Sequence, residues 1–304
     1  MYFLKRILWL IPLLLVVSGV CFALLRLTPG SPFDRERRPA SPEIERQIAA
    51  KYHLDEPVWK QYGRFLRDLL RGDFGPSLKY RNHTVNDLIR QGLPVSMSLG
   101  ALAFCLALGI GLPVGCYTAL RRGRWGDYVG SLYALLMVCV PVFVLAPLLV
   151  MFLAVRWHWF PVALWGSVRH AVLPVLALGL FYSGRVARLM REGLLNTMHA
   201  EFIKTARAKG LSETAVLLRH GLRPALLPVV SYAGPMLADL LTGSFVVETI
   251  FQIPGLGAAF LNGFLNRDYS LVLGLVMLYA VLLVFLNLAV DFIYTLLDPR
   301  VKYE

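Results

Sequence analysis

The chain has 304 residues, of which 57% are hydrophobic and only 16% charged, with a mean hydropathy of +0.60 and a net charge of +12. A soluble domain carries about 25% charged residues, so these proportions argue against an ordinary soluble domain and for a membrane protein. The basic excess then reads as the flanks of membrane helices and not as a nucleic-acid surface.

The first apolar run, Ile7 to Leu25, holds nineteen uncharged residues behind Lys5 and Arg6. It is longer than a signal-peptide core and no small-x-small cleavage site follows, so a retained anchor is expected. Residues 28–93 are polar enough to form a small ordered domain. Ser41-Pro42-Glu43 reads as a helix start, with Ile44 and Ile48 on one face. A second start at Asp55-Glu56-Pro57 leads a stripe of Val58, Tyr62, Phe65, Leu66, Leu69 and Leu70 that stops at Gly72. This segment is expected as a solvated cap, with direct substrate contact as the alternative.

Further uncharged runs follow at Gln91–Leu120, Tyr128–Val155, His170–Gly184 and Tyr269–Val290. Another runs from Pro224 to Glu248, interrupted by Asp239. A crossing helix needs about 20 mostly apolar residues, so six spans are predicted. Arg185, Arg188 and Arg191 close the fourth and are expected to snorkel into headgroups. With the N-terminus inside, the cytoplasmic pieces hold fifteen Lys and Arg, against three in the short outer loops. That contrast predicts both termini in the cytoplasm. Cys21, Cys105, Cys116 and Cys139 all fall in apolar runs without Cys-x-x-Cys spacing, and the six histidines lack metal-ligand spacing. Neither a disulfide framework nor a metal site is expected.

Between the fourth and fifth spans lies a basic loop containing Glu201, Phe202, Ile203, Lys204, Thr205, Ala206, Arg207, Ala208, Lys209, Gly210 and Leu211. Glu201 to Lys209 predicts a short helix, Gly210 its left-handed stop, and Ser212 the cap of a second helix. Phe202 and Ile203 are large and apolar within a charged loop, and Thr205, Ala206 and Ala208 are small. Three readings stay open on these residues alone: a plain positive-inside loop, an interfacial helix on anionic lipid, or a helix that docks on a cytoplasmic protein. Pro224 and Pro228 mark the entry to the fifth span.

Two acids sit within that span. Asp239 lies near its middle and Glu248 near its outer end. An intramembrane acid is a functional candidate by default. Asp239 is a candidate to line a pathway and attract an ammonium group; a structural partner for a buried Arg or another subunit is the alternative. For Glu248, a helix-end or gate contact competes with a pathway role.

The loop resembles that of permease subunits of bacterial ABC importers, whose pattern is Glu-Ala-Ala, three residues, then Gly. Lys204, Thr205 and Ala206 occupy the triplet, the first two departing from it, and Gly210 is the glycine. Thr205-Ala206-Arg207-Ala208-Lys209-Gly210-Leu211 is the form of the peptide-importing branch. The resemblance extends to Arg26-Leu27-Thr28-Pro29-Gly30-Ser31-Pro32, Gly72-Asp73-Phe74-Gly75-Pro76-Ser77, Val247-Glu248-Thr249-Ile250-Phe251, Pro254-Gly255-Leu256-Gly257, Asn266-Arg267-Asp268-Tyr269-Ser270 and Asp298-Pro299-Arg300. Together these span nearly the whole chain and are similar to the oligopeptide-permease branch.

The resemblance implies an all-α polytopic fold of the type I importer class, divided as 1–27 anchor, 28–93 periplasmic domain, 94–295 core and 296–304 tail. The coupling loop would occupy about 191–224 and meet a cytoplasmic ATPase. Implied partners are a second homologous permease, two ATPases, a periplasmic or extracellular peptide-binding protein, a peptide and the lipid bilayer, with no nucleic acid. No cofactor would bind directly; ATP and Mg would sit on the ATPases, since this chain lacks a Gly-x-x-x-x-Gly-Lys-Ser/Thr phosphate loop. Other cargo in such systems includes dipeptides, nickel chelates and antimicrobial peptides. A stand-alone secondary transporter is a competing class, disfavoured by the lack of an internal repeat. A membrane enzyme would need a named catalytic site, and none is visible.

Overall fold

The computed structural model describes residues 2–27, 55–80 and 82–297, with side chains placed from Ile11 to Ile293 apart from Arg26. The helix start expected at Ser41 and the Asp298-Pro299-Arg300 motif lie outside the described residues. The described part is helical, with one isolated antiparallel bridge between Pro76 and Thr84.

Helix α1, Tyr2–Leu27, has 26 residues, about 39 Å at 1.5 Å each. Helix α2, Val58–Leu70, follows the outer segment. Its Tyr62 hydroxyl donates to the Leu15 carbonyl at 3.1 Å and meets Ser18 Oγ at 2.9 Å. Ser18 is nine residues from the end of α1, about 13 Å below it. So α2 lies against the C-terminal half of α1. The stripe divides accordingly: Tyr62, Phe65, Leu66 and Leu69 are half-buried, while Val58 and Leu70 stay exposed.

Helix α3, Val85–Leu120, begins with a reciprocal capping box between Thr84 and Asp87. Its 36 residues, about 54 Å of helix, exceed the roughly 30 Å of hydrocarbon. Gly92, Ser96, Gly100, Ala103, Ala107, Gly111 and Gly115 are all buried at three- and four-residue intervals. This small-residue seam lets backbones approach. A Cβ on Gly115 would lie 2.5 Å from the Ala187 carbonyl, and one on Gly100 would lie 2.3 Å from the Leu240 carbonyl.

Helix α4, Trp125–Cys139, and helix α5, Val142–Leu149, meet at a bend of 106°. A single straight span was expected over 128–155. Pro141 pushes Val140 out of helical geometry, to φ −80° and ψ 114°. α5 continues as a π-helical turn, Val150–Arg156, into an aromatic patch of Phe152, Trp157 and Trp159. Helix α6, Val168–Met198, is one rod of 31 residues. It carries the fourth apolar run and the arginines beyond it, and its contact with α3 is the most extensive in the chain.

The loop that follows holds α7, Glu201–Ala208, α8, Glu213–Val216, a π-helical turn, Leu217–Gly221, and α9, Leu222–Ala225. Helix α10, Leu227–Leu241, then packs among α3, α6 and α13. It breaks at residues 242–244, where Gly243 takes φ +94°, and resumes as α11, Phe245–Ile250. Helix α12, Leu256–Leu265, and helix α13, Tyr269–Leu297, complete the chain. Val85–Leu120, Val168–Met198, Leu227–Ile250 and Tyr269–Ile293 are long and apolar enough to cross a membrane, and the bent α4–α5 pair would make a fifth if it crosses as one span. α1 supplies a sixth helix of sufficient length, its described apolar stretch being Ile11–Leu25. The main core lies between α3, α6 and α10, around Leu99, Ala107, Leu173, Val186, Met190 and Leu240.

Candidate functional site

The basic loop is built outward from a small apolar anchor. Ile203 is fully buried, and it packs with Ala206 and Val216 against Met198 and Leu211. Three residues apart, Ile203 and Ala206 form the inward face of α7. Phe202 points away and is 49% exposed. The small face expected from Thr205, Ala206 and Ala208 is therefore split: Ala206 is buried, and Thr205 and Ala208 are exposed. What α7 presents outward is Phe202 with Thr205, Lys209 and the charges around them.

Its ends are fixed by local chemistry. Glu201 sits in the first turn, where an acid favours the helix dipole, and it accepts from Lys204 Nζ at 2.8 Å. Gly210 adopts φ +78°, the left-handed stop expected from sequence. Ser212 caps α8 by accepting from the Ala215 amide. Across the turn, Arg207 forks onto Glu213 at 2.8 and 3.1 Å. That hydrogen-bonded guanidinium holds the Glu213 carboxyl below its ordinary pKa, and the carboxylate raises that of Arg207.

The expectation that three arginines snorkel is overturned for Arg191. Arg191 forks onto Asp127 with both contacts at 2.9 Å, and Asp127 also accepts from the Gly123 amide and from Ser131. The guanidinium of Arg185 lies 5.3 Å from the ring centre of Tyr232. Arg188 is exposed, 4.0 Å from Glu192. The partners come from α4 and α10, which no spacing within α6 reveals.

Asp239 sits on the exposed side of α10, in line with Pro228, Ser231 and Pro235. Tyr182 of α6 donates a hydroxyl hydrogen bond to its Oδ2. Beside it lies a cavity of about 440 Å³ between α10 and α13, lined by Ala238, Asp239, Thr242, Val276, Ala280 and Leu283 among others. Tyr182 was not foreseen; nothing in its own neighbourhood distinguishes it from other aromatic residues of an apolar span.

Glu248 has a different setting. It is fully buried, and its carboxyl accepts from Ser96 Oγ at 2.7 Å and from the Ala258 amide at 2.8 Å. Ser96 Oγ in turn accepts from the Leu256 amide at 2.8 Å. A Cβ on Gly255 would lie 2.4 Å from Glu248 Cδ, and one on Gly243 would lie 2.5 Å from its Oε1. Glu248 is thus enclosed in a node joining α3, α11 and α12. The node also accounts for part of the Val247–Gly257 motif, in which Gly255 makes room for the carboxyl.

A second buried acid had appeared only within a motif. Asp268 is fully buried and accepts from Ser77 Oγ and from the amides of Leu78, Lys79 and Leu271. It brings the Gly72–Ser77 and Asn266–Ser270 motifs together at the start of α13.

Residues 111–303 match the family model described as "Binding-protein-dependent transport system inner membrane component". The chain is 46% identical over 304 residues to the oligopeptide transport system permease protein OppB of Escherichia coli K12, covering 99% of each. It is 45% identical over 301 residues to that of Haemophilus influenzae, covering 98% of each. To the dipeptide permease DppB of Bacillus subtilis it is 40% identical over 301 residues, covering 99% of this chain and 97% of the relative. Among solved structures, it is similar to a chain of the inward-facing MetNI methionine ABC transporter with a TM-score of 0.57 and 20% identity, covering 69% of this chain and 96% of that one. A chain of an amino acid ABC transporter gives 0.56 and 17%, covering 68% and 93%. The fold, the loop and the near full-length identities agree, and the chain belongs to the family of inner membrane components of binding-protein-dependent transport systems.

Proposed function

We propose that the chain is the membrane pathway subunit of an ATP-driven importer of oligopeptides. It is multi-pass and non-catalytic, and it converts ATP hydrolysis by partner subunits into alternating access. The observation that carries this reading is α7: a short helix held by buried Ile203 and Ala206, with exposed Phe202 on its outer side. Higher identity to relatives named for oligopeptides than to those named for dipeptides supports the cargo. Dipeptide import is the second reading, favoured by the 40% identity to the Bacillus relative.

On this reading, Glu201 to Leu211 meets a cytoplasmic ATPase, and ATP and Mg bind on two such subunits. A second homologous permease completes the pathway, Asp239 lines it, and an external binding protein delivers the peptide. Residues 28–93 form the periplasmic part, 94–295 the core, and both termini are cytoplasmic; the basic content of the inner loops supports that orientation.

The test uses the assembled transporter in vesicles, with and without peptide-loaded binding protein. Phe202→Ala is expected to leave the subunits assembled and cut peptide import about tenfold, as loss of a buried anchor would. Import at the wild-type rate by a Phe202→Ala, Lys209→Ala double variant would overturn the proposal.

A further inference from the structure

Two oppositely charged side chains share one face of the membrane region without neutralising each other. Asp239 is held by a tyrosine hydroxyl and has no basic side chain in ion-pair contact among the described residues. Arg185 is held against the ring of Tyr232, likewise without a carboxylate in ion-pair contact. Charges on membrane-crossing helices are costly and are retained where they meet a partner or a ligand. Tyr232 and Asp239 are seven residues apart on α10, about 10 Å along the axis. A peptide of three extended residues spans about the same length. Next to Asp239, the cavity of about 440 Å³ offers the apolar walls of Ala238, Val276, Ala280 and Leu283.

We infer that the α6–α10–α13 face is a two-pole station for the ends of an extended peptide. Asp239 takes the ammonium group, the adjoining cavity takes the first side chain, and Arg185 takes the carboxylate. Tyr182 and Tyr232 position the two charged groups. This rests on the proposed peptide cargo. It goes further by fixing the direction of the bound peptide along α10 and the chemistry at each end. Both poles are paired only with neutral tyrosines, so neither salt bridge has to be broken for a peptide to bind.

The test uses the complete transporter in lipid nanodiscs and two tripeptide probes, photo-leucine-Ala-Ala and Ala-Ala-photo-leucine, with cross-links mapped by mass spectrometry. The first probe is expected to label α10 beyond Pro235 and the Val276–Leu283 segment. The second is expected to label the surroundings of Tyr232 and Arg185. Asp239→Asn should lower labelling by the first about tenfold, and Arg185→Gln that by the second, as loss of a charge-assisted contact implies. If both probes mark the same residues, or residues elsewhere, the station is refuted. The pattern from the unsubstituted complex decides this even if a variant fails to assemble. Absent uptake of tri-alanine by the unsubstituted transporter would refute the peptide cargo itself; normal uptake with unpatterned labelling refutes the station alone.

Discussion

Ser96 and Glu248 are 152 residues apart in the chain and share a buried hydrogen bond of 2.7 Å. Ser96 is at once a donor to the carboxyl and an acceptor from the Leu256 amide. Glu248→Gln keeps one oxygen where two donors, from Ser96 and Ala258, now require acceptors. We expect a loss of about 2 kcal/mol from one unsatisfied buried donor. Ser96→Ala leaves the Leu256 amide without its acceptor and should cost at least as much, about 2–3 kcal/mol. Thermal unfolding of the purified complex, followed by size-exclusion fluorescence, checks both. A Gln variant as stable as wild type would contradict the enclosed node.

Gly100 tests the small-residue seam. Its missing Cβ faces the Leu240 carbonyl at 2.3 Å, so Gly100→Ala must push α10 away from α3. Overpacking of that kind costs about 1–3 kcal/mol. Gly109→Ala, with nothing within 4 Å of the added carbon, is the matched control and should leave the melting temperature unchanged.

The fork between Arg191 and Asp127 joins α6 to the start of α4. Asp127 is 8% exposed and Arg191 28%, so solvent screens the pair in part. Arg191→Lys loses the planar two-point contact and should destabilise by about 1–2 kcal/mol, within the range of charge-assisted bonds. Exchanging the two residues in a double variant should restore part of that loss, measured as a coupling in a double-mutant cycle.

The Arg207–Glu213 fork predicts a pH response. Glu213 has a lowered folded pKa, so its contribution is present above the unfolded value of 4.5 and is lost as pH falls through the folded one. Amide exchange in residues 207–216, corrected for intrinsic rates, should show no pH-dependent loss of protection from pH 8 to 5. Protection should fall in more acid solution. In Glu213→Gln that acid step should vanish; its persistence would assign it to another group.

Ile203 and Phe202 separate holding from contacting. Ile203→Ala empties a fully buried site and should cost about 2–4 kcal/mol of loop stability, seen as faster proteolysis of the loop. Phe202→Ala should leave proteolysis unchanged. Equal sensitivity of both variants would remove the distinction between the two faces of α7.

Much of this was legible in the chain itself. Gly210 and Ser212 marked the ends of α7 and α8 because stops and caps are local chemistry. The spans were legible because hydrocarbon requires apolar length. The 106° bend was missed, although Pro141 within the run could have suggested a break there. Asp239 stood out as an acid in an apolar run, whereas Tyr182 did not, because its role exists only through a helix 57 residues away. Ile203 and Ala206 could have been separated from Phe202 by helical spacing alone. The enclosure of Glu248 could not, since Ser96 lies on another helix, 152 residues away.

Asp268 has a mechanical corollary. It grips two backbone amides of the outer segment, at Leu78 and Lys79, as well as the first turn of α13 through Leu271. Side-chain variation at positions 78 and 79 leaves those attachments intact, while the single carboxylate governs them all. One carboxylate therefore ties residues 77–79 to the first turn of the last long helix, so its loss would release both at once.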